Sequence, residues 1–565
     1  MIVNDKHEVV MNLKSFSPEK NLRSGQYPRM MRHLTLSAIM ILLTVSTFAQ
    51  SPEVRKALRH FEIEQPKKGM AALEALPQNS TNFYYLGLAQ LRSGQKDQAL
   101  ANFEKGIAAN EKDGLNYAGK GHVRLLEKNP TDAKVQLDKA LSVSRSKDVN
   151  VLKAVAEAYL TDTKYLLDAI NVLNKAAGIN STDPEVQMLL GDASLMQNQQ
   201  NAGPAVNAYE KAARADNKIA KPHFKIGKIW QRAKSLDNAI ASYEKAISID
   251  SEYAPAYKEL GQIYYLQKQA AKAVEVYEKY MAITENPGDA KFQQAFFYFM
   301  AKNYEKANAI FREVTTNQNV APVAFKFYAL SLIEQQKLDE ATKMFEQYFA
   351  KAKPENLVAD DYAEYGKLKL LLKTPEGDSL ANEYFAKSID LDSAQTDILQ
   401  LHGDTFLKRK KFDKAIVAFK QLMSLRQQPL SQDLWSIGRA YYYNEQFVEA
   451  DSAFTQLAEK QPNMTVGFQF AARARRQIDS TGVQALANPM FEQLVEKALA
   501  NPDKYKKELI EAYEYFGSYY VNVKLDIPKA KSYFEKILQL DPAHAQAKEA
   551  LKVINAPPPS NKGGK

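Results

Sequence analysis

The stretch "SEYAPAYKELGQIYY", residues 251–265, decides the fold. It reads as the start of a helix, yet Gly261 sits in its middle, where a glycine costs about 1 kcal/mol relative to alanine. The arrangement recurs upstream at Gly87 ("TNFYYLGLAQL") and Gly227 ("AKPHFKIGKIW"), and downstream at Gly403 ("DILQLHGDTF") and Gly438 ("QDLWSIGRAYYY"). A small residue that keeps returning to one place asks for a periodic explanation.

On that frame the small residues are Gly87, Gly121, Ala156, Gly191, Gly227, Gly261, Ala295, Ala329, Gly366, Gly403 and Gly438, then Gly517 after a gap. The steps from Gly87 to Gly438 are 34 to 37 residues long, and a fixed period of roughly 20 to 50 residues marks a solenoid. Each unit has a second half: Ala239, Tyr243, Ala246 in one and Ala273, Tyr277, Tyr280 in the next, with Ala341, Phe345, Tyr348 and Ala450, Phe454, Leu457 further on. Spacings of four and three put such trios on one helical face. The small residue is therefore expected to let the first helix of a pair lie close to the second, whose alanine faces it, with tyrosine and phenylalanine filling the wider gaps.

These motifs resemble the tetratricopeptide repeat (TPR) family. "YKELGQIY" followed by Ala273 and Tyr277, and "LWSIGRAYYY" followed by Ala450, Phe454 and Pro462, follow that family's pattern. The resemblance implies an all-α, right-handed superhelical solenoid of about twelve to thirteen helix-turn-helix repeats. It also implies a concave surface, lined by the first helix of each pair, that binds extended peptides or protein surfaces. One continuous array is expected, because a single repeat cannot bury its apolar face alone.

Outside the array, "MMRHLTLSAIMILLTVSTFAQ" has a basic start, an apolar run from Leu34 to Val45 and small residues up to Ala49. Residues 30–49 read as a secretory signal cleaved after Ala49, and the apolar run is too short to span a bilayer, which takes about 20 residues. Residues 1–29 read as a gene-model artefact upstream of a true start at Met30 or Met31. The sequence contains no cysteine, which excludes lipidation at the cleavage point and disulfides. An exported, periplasmic protein is expected. Residues 51–79 read as an N-terminal helical cap, 80–463 as the repeat array, 464–507 as a degenerate helical repeat, 508–556 as a last repeat with a capping helix, and 557–565 as a disordered tail.

The net charge is +9, of which the first 49 residues carry three, and both signs are interspersed. Such a surface is no nucleic-acid footprint. The seven histidines are scattered without an H-E-x-x-H pair, and phosphate-loop, dinucleotide and nucleophile-elbow motifs are absent. "DLDSAQTD", residues 390–397, lacks the glycine and closing glutamate of a calcium loop. No catalytic residue, metal or cofactor is expected.

Three clusters fall where the concave face should lie. Lys221, Lys225, Lys228 and Arg232 share a helical face, with Lys258 from the next unit, as a ledge for a carboxylate or acidic peptide. The asparagines of carboxylate-clamp TPRs are missing there, Lys228 and Gln262 taking their places. Phe292, Phe296 and Phe299 make an aromatic stripe for an apolar segment, and Trp435, Arg439, Tyr442 and Tyr443 offer an aromatic and basic surface. The whole reads as a non-enzymatic scaffold for other envelope proteins or peptides, similar to exported TPR proteins that accompany TonB-type transport systems. A glycan- or cell-wall-binding module is the alternative, because Trp, Tyr and Arg also suit sugar stacking.

Overall fold

The computed structural model describes residues 51–556 apart from Asn286, Asp289 and Gln318. The expected signal at 30–49, the segment before it and the tail at 557–565 lie outside the described residues. Among those described, the chain forms 29 α-helices and no strand. It divides into two compact units at Gln336/Lys337. The divide falls inside the first of the two longest repeat steps, the 37 residues from Ala329 to Gly366.

Local sequence explains where the helices begin and turn. Asn79, Asp113, Asp148 and Asp183 each cap the helix that follows, the side chain accepting from a main-chain N–H of the first turn. Proline at an early position, as in Pro184–Gln197 and Ala254–Leu266, costs nothing there because that N–H has no partner inside the helix. Between the two helices of a pair stands one left-handed residue: Lys128, Lys234, Lys268 and Lys302, with φ of 57–61°. Glu64 has the same geometry, φ 59°, between Pro52–Glu62 and Pro66–Glu74. The segment expected to be a cap is thus built as a helix pair of the same kind, and its Val54, Ala57, Leu58 and Leu73 share a core with Tyr84 and Tyr85 of the next pair.

The periodic glycine is explained by a ring together with the facing alanine, the Ala273 carbonyl standing 3.6 Å from a Cβ on Gly261. A Cβ on Gly227 would stand 2.5 Å from Tyr243, and one on Gly261 would stand 2.9 Å from Tyr277. Tyr243 and Tyr277 are fully buried. The aromatic that was expected to fill a wider gap lies directly on the bare backbone of the first helix. The alanines, Ala239 and Ala273, are fully buried as well.

In the stretch read as degenerate, 464–507, the helices are Thr465–Ile478 and Asn488–Ala498. The intervening turn is held by Asp479, whose carboxylate accepts from the Leu486 N–H at 3.4 Å. Phe468 and Phe491 are buried there, so the core continues although the spacing does not.

Candidate functional site

The expected basic ledge is not open. Lys225 Nζ lies 2.7 Å from Asp192, Lys228 Nζ 2.8 Å from Glu259, and Arg232 donates to the Gln199 carbonyl at 3.2 Å. Lys221 is 3% exposed and meets Glu62 at 3.1 Å, while Lys258 sits 3.9 Å from Glu64. The face is divided among carboxylates of neighbouring repeats and of the N-terminal helix pair. Helical spacing shows which cations share a face but not which acids face them, and here carboxylates of the chain itself stand on the ledge expected to take a carboxylate or acidic peptide.

The aromatic stripe is corrected in the same way. Phe296 and Phe299 are 2% and 5% exposed, and Phe292 is half-buried. Phe327, on the next first helix Val323–Glu334, comes within 4.8 Å of the Phe296 ring and 5.8 Å of Phe299, centroid to centroid, and 6.3 Å of Phe292. Tight stacking of successive first helices turns this stripe into core.

First helices also meet nearer the N-terminus, through charge. Lys153 Nζ lies 3.0 Å from Asp183 and 3.1 Å from Glu185, all three almost fully buried. Burial alone would lower the Lys153 pKa, but Glu185 and Asp183 outweigh it and hold it raised. Arg92 and Glu157 pair nearby at 3.7 Å.

The third cluster, in the second unit, stays accessible. Trp435, Arg439 and Tyr442 are half-buried and Tyr443 is 43% exposed. The Arg439 guanidinium lies over the Trp435 ring at 5.5 Å, and the indole meets Phe470 edge-on at 4.8 Å. Among the described residues no carboxylate comes within 4 Å of Arg439. Arg439 acts electrostatically on Asp404; burial pushes that carboxyl up, against a 2.9 Å hydrogen bond from Gln400 and the field of Arg439. One repeat on, Arg473 stacks over Phe470 at 4.7 Å and forks onto Glu511 at 2.6 and 2.7 Å. Two arginine–aromatic stacks therefore stand side by side, one closed by a carboxylate and one without such a partner. This arrangement can hold a carboxylate and apolar neighbours. Among the described residues, no group of three or more His, Asp or Glu could hold a metal ion.

Comparison with known proteins places the repeat. Residues 232–268 match a family model described as TPR repeat, 254–287 one described as tetratricopeptide repeat, and 271–348 one described as anaphase-promoting complex, cyclosome, subunit 3. The C-terminal part of a TPR repeat-containing protein from Cytophaga hutchinsonii is 32% identical over 46% of this chain and 99% of its own, with a TM-score of 0.39. The chain belongs to the tetratricopeptide repeat family. A TPR protein from Parabacteroides merdae is 19% identical over 46% of this chain and 99% of its own, TM-score 0.30. A protective antigen of uropathogenic Escherichia coli with an SLR fold is 16% identical over 78% and 97%, TM-score 0.43. No curated protein sequence matches.

The TPR frame shows what sequence reading missed in the second unit. Arg439 and Arg473 lie 34 residues apart, one position after Gly438 and Ala472, so they are the same repeat position. Reading 464–507 as degenerate left Ala472 out of the row of small residues, and with it the second copy, Phe470 and Glu511. Asp404, one position after Gly403, is the third member of that row.

Proposed function

We propose that this TPR protein is a non-enzymatic scaffold of the bacterial cell envelope that holds extended segments of other envelope proteins along its first-helix face. The observation that carries the reading is Arg439, stacked on Trp435 beside Tyr442 and Tyr443 and, among the described residues, without a carboxylate within 4 Å. Arginine and aromatic side chains supply most of the energy at protein interfaces, and a fork of donors held flat on an indole suits a carboxylate. The signal-like segment at 30–49 and the cysteine-free composition support an exported, periplasmic location. The partner class we propose is an envelope transport system of TonB type, on the similarity of architecture. A glycan would have to displace Arg439 to stack on Trp435, which favours the peptide reading.

Crosslinking capture from the native envelope tests this. Wild type is expected to retain a defined protein that Arg439→Ala/Tyr443→Ala loses while its helical content stays the same. Equal capture by both overturns the site. Capture of cell-wall material alone replaces the reading with the glycan-binding one.

A further inference from the structure

The N-terminal helix pair is held at two places. Its helices stack on the following repeat through Val54, Leu58 and Leu73. Its turn, Glu62 to Gln65, reaches residues 159 to 220 positions further along the chain.

That second contact resembles a bound peptide more than a packed helix. Glu62 accepts from Lys221 at 3.1 Å, and Glu64 accepts from the Tyr280 hydroxyl at 2.6 Å with Lys258 Nζ 3.9 Å away. The main chain joins in: the Glu285 N–H donates to the Glu64 carbonyl at 3.1 Å, and Gln65 Nε2 donates to the Ile283 carbonyl at 3.0 Å. Ile63, between the two glutamates, is 1% exposed. With Glu64 left-handed at φ 59°, the segment is a tight turn that offers two carboxylates around one buried apolar side chain and bonds through its main chain. Beside it, Glu285 accepts from the Lys67 and Lys68 N–H groups at 2.9 and 3.2 Å, and Arg59 forks onto Asp250 at 3.1 and 2.8 Å.

We propose that Lys221, Lys258, Tyr280 and the main chain at 283–285 form a binding site for a tight turn of acidic–apolar–acidic sequence, which the chain's own Glu62–Gln65 turn occupies as a displaceable internal ligand. The proposal rests on the reading of the chain as a binder of peptide segments, but on a different site. Charge selects the occupant: the site presents two ammonium groups and a hydroxyl to carboxylates. The Lys258–Glu64 pair is partly solvated and weak, whereas Lys221 is buried against Glu62, so a partner with the same pattern must bring Lys221 a carboxylate in its place. A tethered ligand acts at an effective concentration of roughly millimolar, so the site is shut to weak competitors.

The absence of cysteine makes the test direct. Fluorophores on Lys56→Cys and Lys245→Cys, both exposed positions, report docking by energy transfer in the full chain. The probe is the peptide RHFEIEQPK, which copies residues 59–67. Glu62→Lys/Glu64→Lys is expected to lower transfer and to bind the peptide at least tenfold more tightly than wild type, and adding Lys221→Glu/Lys258→Glu is expected to abolish that gain. Transfer unchanged in the double variant, or equal peptide binding by all three proteins, overturns the proposal. If the double variant does not fold, the wild-type background decides: millimolar peptide must lower transfer and RHFKIKQPK must not, and no effect of either overturns it. Neither result moves the capture test on Arg439, which lies in the other unit.

Discussion

The Phe419 ring lies so close to Gly403 that a Cβ there would stand 2.4 Å from its Cε1. Glycine loses about 1 kcal/mol of helix propensity to alanine, while overpacking costs typically about 1–3 kcal/mol. Which term wins depends on what the new methyl meets. At Gly261 it meets Tyr277 at 2.9 Å, and at Gly467 it meets the Ala458 backbone nitrogen at 2.6 Å, which cannot turn aside. Gly261→Ala is therefore expected to be near neutral, Gly403→Ala to cost about 1–2 kcal/mol and Gly467→Ala about 3 kcal/mol. Urea unfolding checks the order, and Phe419→Leu should recover part of the loss at 403.

Phe292→Ala/Phe296→Ala/Phe299→Ala is expected to unfold its end of the first unit, since truncating a buried phenylalanine costs about 3–5 kcal/mol. The sequence has two tryptophans, Trp230 in the first unit and Trp435 in the second. Trp230 fluorescence in a Trp435→Phe background isolates the first unit. A wild-type unfolding midpoint for the triple variant would contradict the burial against Phe327.

Lys153→Met leaves Asp183 and Glu185 buried without their cation, a loss of about 3–5 kcal/mol when one partner of such a pair is removed. Adding Glu185→Gln is expected to return part of it, because one buried charge then disappears. The same Trp230 signal measures both. Equal stability of the two variants would show that Glu185 is solvated in the variant.

Two histidines make stability fall in acid. Burial, reinforced by Arg92, lowers the pKa of His122 to about 4, and burial against Phe406 and Phe385 lowers that of His402 to about 4. The folded value lies below the unfolded value of about 6.5, so the contribution is complete above pH 6.5 and is lost as pH falls toward 4. The loss is about 3 kcal/mol per histidine. His122→Gln should flatten the curve read by Trp230, and His402→Gln the one read by Trp435.

The period was legible because packing enforces it: a small residue at Gly227 or Gly261 must recur wherever a ring such as Tyr243 or Tyr277 lies on the helix. What the period could not supply was the partner from outside it. Lys221 finds Glu62 and Phe296 finds Phe327 through the curvature of stacked pairs, which is set by side-chain volumes rather than by spacing. Trp435 and Arg439 were singled out from residue type alone, while Arg473 escaped because 464–507, without the spacing of its neighbours, was read as degenerate.

Stacked repeats ordinarily make an open line, and adding or deleting one changes only its length. The bond from the Glu285 N–H to the Glu64 carbonyl changes that rule for the first unit. Between the N-terminal turn and its dock, every helix pair contributes a fixed rotation and rise, so only one number of pairs brings Glu64 to Glu285. Repeat copy number between the turn and its dock, unconstrained in an open array, is here fixed by geometry: losing or duplicating one unit would leave each remaining repeat intact and still carry the turn past its site.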